Sequence, residues 1–232
     1  MDRFPHTPHL AWLGESSLRD DKLLSRSEAE LFLSSTVVIE EKVDGANLGL
    51  LLDRNGTIQC RNRGGVLHEP YPAQFKMLRA WLDQHEDTLL DVLDESLVLY
   101  GEWCAAKHSI SYLHLPDWFL AFDVYDREAR RFWSTHRRAT LTHKAGLRQV
   151  PSMGVGNYSL EGLSSLVRQH RTSFGDGPLE GLVVRQEDAE WLIARAKLVR
   201  PDFVQQISEH WRSRRIEWNR IDAIPVESRR AG

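Results

Sequence analysis

Long apolar runs, a secretory leader and a cysteine framework are all absent from the sequence. No apolar stretch reaches the roughly 18–20 residues that a membrane-spanning helix needs. The amino-terminal stretch MDRFPHTPHLAWLGESS has no apolar core behind basic residues, so it predicts no secretory signal. The two cysteines, Cys60 and Cys104, form no CxxC pair, and the histidines show no metal-ligand spacing, which disfavours a disulfide or zinc site. These absences favour a cytoplasmic protein with reduced thiols and no membrane contact.

An excess of basic residues is lacking as well. The chain has 30 Lys and Arg against 33 Asp and Glu, a formal net charge of -3. This balance argues against a generally basic nucleic-acid surface, so binding to phosphates would need a local patch. The 232 residues contain no repeat, low-complexity tract or long linker. We therefore predict one globular domain over residues 1–200, followed by an amphipathic helix and tail over residues 201–232.

The predicted last helix begins at Pro201, a residue that suits the first helical position. Its apolar stripe is formed by Phe203, Ile207, Trp211 and Trp218. This helix also carries four arginines: Arg212, Arg214, Arg215 and Arg220. They form either a patch that binds the RNA backbone or a set of cations that complements the carboxyl end of a helix.

Hairpins interleaved with helices run through the rest of the chain. Periodicity predicts helices at Ser25–Ser35, Ala73–Leu93, Thr135–Ala145 and Ser159–His170, with Leu31 and Phe32 partly buried. Alternating or β-branched runs predict strands at Thr36–Lys42, Asn47–Leu52, Thr57–Arg61, Leu97–Trp103, Trp118–Tyr125, Arg131–Trp133, Leu179–Arg185 and Trp191–Lys197. Because no regular βαβ alternation occurs, we expect an α+β fold built on antiparallel sheets.

The string Glu40-Glu41-Lys42-Val43-Asp44-Gly45-Ala46-Asn47 places a lysine at the end of an apolar strand, just before a flexible turn. A lysine amine is a nucleophile only when neutral, and its reference pKa of about 10.4 leaves it almost wholly protonated at pH 7. We therefore expect desolvation or neighbouring cations to lower the pKa of Lys42. The alternative is a solvated lysine beside its own carboxylates.

Five further strings follow in order, each beside a predicted strand: CRNRGG, LYGEW, FLAFDVYD, PLEGLVVR and ARAKLVRPDF. With KVDGAN they resemble motifs I, Ia, III, IIIa, IV and V of the covalent nucleotidyltransferases, which comprise ATP-dependent DNA and RNA ligases and mRNA capping enzymes. Glu41 and Asn47 match the glutamate just before the lysine and the asparagine five residues after it in the RNA ligases that seal nicks in duplex RNA. The resemblance implies that residues 1–200 are an adenylyltransferase domain.

The same resemblance implies the reaction and its cofactors. Lys42 would attack the α-phosphate of ATP, with Mg²⁺ or Mn²⁺, and retain AMP as a phosphoramidate. AMP would then pass to a 5′-phosphate RNA end, and a 3′-hydroxyl would displace it and seal the strand. It also implies a nucleotide site formed by Glu41, Asn47, Arg61, Glu102, Phe122, Glu180, Arg195 and Lys197.

Other assignments are less specific. Arg63 is an alternative to Arg61, because the register of CRNRGG against the family motif is not unique. Glu180 and Asp44 are the candidate metal ligands, and we expect them to bind through water because Mg²⁺ keeps several waters. Arg63, Lys107 and His108 are candidate contacts to nucleic acid.

Two hairpins are expected to assemble the site. A turn at Asp53-Arg54-Asn55-Gly56 would place Asn47 across from Arg61 or its neighbour. A hairpin centred near Asp188 would place Glu180 opposite residue 196, give or take one, beside Arg195 and Lys197.

The sequence departs from the family at two points. Motif V usually reads Lys-x-Lys, but here Arg195 takes the first position, and arginine is not interchangeable with lysine. About 35 residues follow Lys197, too few for the OB-fold of DNA ligases and capping enzymes, so we expect no such domain and a protein partner that adds grip on RNA. The competing hypotheses are a minimal DNA ligase and a catalytically inactive RNA-binding relative.

Overall fold

A computed structural model describes residues 4–14, 22–206 and 216–222. Its helices are α1 (Arg26–Leu33), α2 (Leu78–Leu90), α3 (Thr135–Lys144), α4 (Leu160–Gln169) and α5 (Pro201–Gln206). Its strands are β1 (Val37–Lys42), β2 (Ala46–Leu52), β3 (Ile58–Asn62), β4 (Gly65–Val66), β5 (Leu97–Trp103), β6 (Phe119–Asp126), β7 (Arg131–Phe132), β8 (Arg148–Gln149), β9 (Ser152–Gly156), β10 (Gly181–Glu187) and β11 (Leu192–Val199).

The strands form two sheets. The small sheet has the order β11-β10-β1-β9, and all its pairs are antiparallel. The large sheet has the order β4-β3-β2-β5-β6-β7, with β8 added parallel to β6. The predicted α+β class with antiparallel sheets is confirmed.

Local sequence explains most element ends. Ser25 caps α1 in a capping box with Glu28, and the turn before β3 closes with Gly56 in the left-handed region at φ 73°. The helix predicted over 73–93 is divided into a short 3₁₀ turn at Ala73–Phe75 and α2. Leu31 is 73% exposed, so its predicted burial is wrong, whereas Phe32 is buried as expected.

Each sheet has its own apolar core. Between the large sheet and α2 and α3 lies a core that includes Phe75, Trp81, Leu99, Trp103 and Phe119. The small sheet packs against α1 and α4 through residues that include Phe32, Ile39, Leu163, Leu182 and Leu198. A third apolar cluster, which includes Leu120 of β6 and Val199 of β11, joins the two sheets.

Five charged side chains connect the sheets, and we call them the cross-sheet ion cluster: Glu40, Asp123, Arg138, Arg185 and Arg195. Arg185 on β10 donates to Asp123 on β6 at 2.8 Å and lies 3.7 Å from Glu40 on β1. Arg138 on α3 pairs with Glu40, and Arg195 on β11 pairs with Asp123. All five side chains are at most 7% exposed. Since buried charges are costly unless paired, the cluster fixes how the two sheets meet.

Part of the predicted carboxy-terminal helix lies outside the described residues. Its start at Pro201 and the burial of Phe203 are as expected. Ile207, Trp211, Arg212, Arg214 and Arg215 are not among the described residues. The 216–222 segment is not helical: Trp218 forms a β-bridge with Ala106, and Arg220 donates its backbone N–H to Tyr112 O at 2.9 Å, so the predicted place of Trp218 and Arg220 in the last helix is wrong. Within the described ranges, no helix is long and apolar enough to cross a membrane.

Candidate active site

Lys42 is the last residue of β1 and faces Gly181, the first residue of β10. Its Nζ lies 2.6 Å from Oε1 of Glu180, whose side chain is only 8% exposed. The second carboxylate oxygen of Glu180, Oε2, is buried and has no hydrogen-bond partner among the described residues. A buried oxygen without a donor is costly, so this site is suited to receive a further cation or proton donor.

Three carboxylates surround the Lys42 ammonium. Burial by itself lowers the pKa of Lys42, but the negative charges of Glu180, Glu102 and Asp44 outweigh it, and the net pKa is raised. The predicted lowering of the pKa is therefore wrong for this arrangement, because the nearest charges are anions. Lys42 is held protonated, in an ion pair with Glu180.

Glu102 lies on β5 directly across from Asn47 on β2. Its Oε1 accepts a hydrogen bond from the backbone N–H of Gly45 at 3.1 Å. A Cβ at Gly45 would lie 2.6 Å from the carbonyl oxygen of Trp103, so only glycine allows this approach. Burial raises the pKa of Glu102 to about 7, against the opposing effect of the Lys42 charge.

Asp44 is anchored by the loop that follows β5. Its Oδ2 accepts hydrogen bonds from the backbone N–H groups of Ser109 at 2.6 Å and Ile110 at 2.9 Å, while its own N–H donates to Tyr112 Oη at 2.8 Å. One carboxylate oxygen of Asp44 is thus committed to the backbone. The described residues contain no ready cluster of three His, Cys, Asp or Glu ligands for a metal.

Both hairpin registers differ from the expected ones. Arg61 faces Gly49, two positions beyond Asn47, and a two-residue shift keeps Asn47 and Arg61 on the same face. On the other hairpin, the N–H of Arg200 donates to the carbonyl of Glu180 at 2.9 Å, so the predicted pairing of Glu180 with residue 196 is wrong by four positions. A turn closed by Asp188 and Trp191 and a bulge after Gln186 cause this shift.

The two motif V cations therefore have different surroundings. Lys197, across from Val183, is near enough for its charge to oppose the burial that raises the pKa of Glu180. Arg195 lies farther along β11 and pairs with Asp123 in the cross-sheet ion cluster. The prediction that both cations lie beside Glu180 is therefore wrong for Arg195, and of the two only Lys197 acts on the Glu180 charge.

Glu41 and Phe122 have partners that the sequence did not indicate. The Glu41 carboxylate is buried and accepts hydrogen bonds from Thr172 Oγ1 and, at 3.0 Å, from the N–H of Ser173. Phe122 is half-buried, and its ring packs edge-to-face against Phe4 at a centroid distance of 5.2 Å. Their roles at the nucleotide stay predictions.

Two of the three candidate nucleic-acid contacts, Arg63 and His108, interact with charges of this site, whereas Lys107 pairs with Glu217. Arg63 is exposed, and its charge opposes the burial that raises the pKa of Glu102. The Nζ of Lys107 is 2.6 Å from Glu217 Oε2. His108 Nε2 lies 3.2 Å from Gln74 Oε1, and burial lowers the pKa of its imidazole.

Sequence reasoning missed the groups that hold these side chains in place. Tyr112, which anchors Asp44, and Phe4, which packs on Phe122, belong to no recognised motif. Arg138 and Arg185 carried one available signal, since an arginine in an otherwise apolar strand or beside buried helix positions needs a buried carboxylate partner.

Comparisons with known proteins identify the family and the fold. A family model described as RNA ligase matches residues 35–199. A variant of RNA ligase from Naegleria gruberi with ATP and manganese superposes with a TM-score of 0.66 at 15% sequence identity, covering 89% of this chain and 60% of that one. The same enzyme with pyrophosphate gives a TM-score of 0.59 at 18% identity, over 78% of this chain and 54% of that one.

The chain thus spans about 60% or less of the length of these two solved structures, and at such identities they establish the shared fold. No curated protein sequence matches the chain. The family model covers well over half of the 232 residues and includes both strands that meet at Lys42. The chain therefore belongs to the RNA ligase family.

Proposed function

We propose that this protein is an ATP-dependent RNA ligase in which Lys42 forms a covalent bond to AMP. The observation that carries the proposal is the Lys42–Glu180 ion pair at the junction of two sheets, with Glu102 and Asp44 close enough to act on its charge. A solvated structural lysine would not require an 8% exposed carboxylate with a second, unpartnered oxygen. Related structures of Naegleria gruberi RNA ligase with ATP or AMP and manganese support the same assignment.

The donor set of the site fits a hard divalent cation. Its candidate ligands are carboxylate oxygens, and Glu180 Oε2 is buried without a partner. Since the described residues form no complete metal cage, Glu180 and Asp44 would hold Mg²⁺ or Mn²⁺ largely through water, with Glu102 beside them. Such an ion, when bound, supplies positive charge that offsets the phosphate charge.

Lys42 is activated in this proposal when Glu180 ceases to accept its hydrogen bond. The ammonium then loses its main stabilising anion, and burial favours transfer of its proton to solvent, to which 28% of the Lys42 side chain is exposed. The neutral Nζ attacks the α-phosphorus, a P–N bond forms, and the P–O bond to the β-phosphate breaks to release pyrophosphate. Lys197 would contribute its positive charge at the α-phosphate. Glu102 and Asn47, which face each other on β5 and β2, would lie at the ribose.

Two transfers would follow. An oxygen of an RNA 5′-phosphate attacks the adenylyl phosphorus, so that the P–N bond breaks and Lys42 is regenerated. A 3′-hydroxyl then loses its proton to solvent as it attacks the 5′-phosphorus, a phosphodiester bond forms, and the P–O bond to AMP breaks so that AMP leaves. Arg61 and the exposed Arg63 lie on β3 and the turn after it, where they could contact the 5′-phosphate end. A protein partner would add grip on the RNA.

The test is adenylylation with ATP labelled at the α-phosphate, after treatment of the protein with pyrophosphate to remove any bound adenylate. We expect an acid-labile adduct that Lys42→Ala abolishes and that Lys76→Ala, a change at an exposed lysine, leaves intact. An unlabelled wild-type protein would support the inactive RNA-binding alternative instead. Nicked duplexes with RNA or DNA on the 3′-hydroxyl side then distinguish an RNA ligase from a minimal DNA ligase.

A further inference from the structure

A segment outside the family motifs borders the nucleotide site. Residues 4–14 precede the region that the RNA ligase model matches, and they lie beside β11, an edge strand of the small sheet. The N–H of Lys197 donates to Pro8 O, and the N–H of Leu10 donates to Lys197 O, each at 2.8 Å. Leu10 is buried in the core of the small sheet. The segment is therefore held in place at the very residue that carries the motif V charge.

Phe4 extends from this segment into an aromatic cluster of the large sheet. Its ring lies edge-to-face to three others, with centroid distances of 4.9 Å to Tyr100, 5.2 Å to Phe122 and 5.7 Å to Phe132. Edge-to-face aromatic contacts restrict the orientation of the rings as well as their position. The predicted base-stacking ring of Phe122 is thus oriented by a residue far from it in sequence.

Arg195 completes the cluster. Its guanidinium carbon lies 4.3 Å from the ring centroids of both Phe4 and Phe132. The same guanidinium pairs with Asp123, the residue after Phe122, and the side chain is 7% exposed. To reach a phosphate, Arg195 would have to leave both rings and deprive the buried Asp123 of a partner.

We infer that Phe4 and Arg195 are positioning residues for the nucleotide, which together hold Phe122 and β6 in place, and that Lys197 alone supplies the motif V charge at the α-phosphate. This inference rests on the proposed function. It also accounts for the arginine at a position where the family usually has lysine. A planar guanidinium can contact two aromatic rings and a carboxylate at once, whereas an ammonium cannot.

The experiment measures initial rates of adenylylation against ATP concentration, and the dissociation constant of AMP, for four variants. They are Phe4→Ala, Phe4→Tyr, Arg195→Lys and the double variant Phe4→Ala/Arg195→Lys. Trp191→Ala is the matched control, because it removes comparable cation–π contacts to Arg131 and Arg137 outside the nucleotide site. Thermal unfolding of each variant reports its stability.

Positioning predicts that Phe4→Ala and Arg195→Lys each raise the KM for ATP and the Kd for AMP by roughly 5- to 30-fold, with kcat changed less than about threefold. The double variant should be little worse than the worse single one, because both changes remove the same contact. Phe4→Tyr, which keeps the ring, should retain the wild-type KM for ATP and Kd for AMP. Trp191→Ala should also leave these two constants unchanged.

Two results would overturn the inference. Unchanged KM, Kd and unfolding temperature for Arg195→Lys, a change that keeps the positive charge, would identify a phosphate ligand instead of a positioning group. Lower unfolding temperatures with unchanged KM and Kd would identify packing alone. If the wild type binds AMP but forms no adduct, the proposed function fails, and the dissociation constants of AMP for the variants still test the positioning role. A wild type that does not bind AMP overturns both the proposed function and the inference.

Discussion

Replacing Glu180 by Gln should make the amine of Lys42 more reactive, even though it should impair the enzymatic reaction. The two charges are 2.6 Å apart, and at an effective dielectric constant of about 20 their attraction is on the order of 6 kcal/mol. Because Lys42 is 28% exposed, solvent screening reduces this energy to about 1–2 kcal/mol. The loss of that attraction corresponds to roughly a 5- to 30-fold increase in the fraction of neutral amine.

Competitive acetylation measures this fraction without any need for catalysis. The wild type and Glu180→Gln are treated with trace acetic anhydride near pH 8 in the presence of a chelator, and the modified peptides are quantified by mass spectrometry. The exposed Lys76 serves as the internal reference for reagent concentration. We expect Lys42 to be modified faster in the variant, whereas adenylylation with ATP and Mg²⁺ falls at least tenfold because a metal ligand and positioning group is lost.

A matched control is available at the protein surface. Lys107 and Glu217 are also 2.6 Å apart, but the Glu217 side chain is 70% exposed. Glu217→Gln should therefore change the acetylation of Lys107 less than about threefold and leave Lys42 unaffected. Equal or slower acetylation of Lys42 in Glu180→Gln would refute the conclusion that Glu180 holds this lysine protonated.

Three further outcomes test the fold around the site. Asp123→Asn should lower the free energy of unfolding by about 3 kcal/mol in urea titrations, because it removes the carboxylate charge that two buried arginines share. Glu30→Gln, in an exposed pair, should lower it by less than about 0.5 kcal/mol. Equal effects of the two changes would contradict the role of the cross-sheet ion cluster. The pKa of Glu102 is raised to about 7 from 4.5, so its contribution to stability is present below pH 4.5 and is lost as the pH rises through 7. The free energy of unfolding of Glu102→Gln, relative to that of the wild type, should therefore increase by about 2 kcal/mol between pH 5 and pH 8. A difference that does not change with pH would refute this assignment. Gly181→Ala should destabilise the protein by more than about 2 kcal/mol, because its Cβ would overlap the carbonyl oxygen of Leu198, and unchanged stability would show that the sheet can yield there.

The strands and their hairpins were largely predictable, because their signals are local. Alternating and β-branched runs indicated β1, β2 and β5 to within one residue, and the Asp53–Gly56 turn marked the first hairpin. The short strands β4, β8 and β9 carried no such signal. β9 reads Ser-Met-Gly-Val-Gly, and its pairing with β1 is a tertiary contact that overrides weak propensity.

Register was less predictable than strand position. A one-residue error in the centre of a turn moves every pair of the ladder by two, and a bulge adds another position. In the Glu180 hairpin the turn centre lies one and a half residues beyond Asp188, which moves the partner by three positions, and the bulge adds the fourth, so the expected neighbour at 196 became Arg200. The Asn47 hairpin was also displaced, but by an even number that preserved the face, so its prediction for the site remained useful.

The protonation state of Lys42 could not be read from motifs because it depends on the balance of charges from three separate segments. Glu102, Asp44 and Glu180 come from three different places in the chain and together exceed the single ammonium charge. Motif order indicates that these residues meet, but only their burial and distances indicate which charge prevails.

The same carboxylates that hold Lys42 protonated are the groups that would bind a divalent cation, and this links two events thermodynamically. Any cation that engages Glu180 weakens its hydrogen bond to Lys42, and any loss of the Lys42 proton leaves Glu180 more available to the cation. Release of a proton should therefore accompany metal binding to the wild type but not to Lys42→Met, in a calorimetric titration repeated in buffers of different ionisation enthalpy. Equal proton release from both proteins would show that nucleophile and metal site are independent, and Lys42 would then need another source of activation.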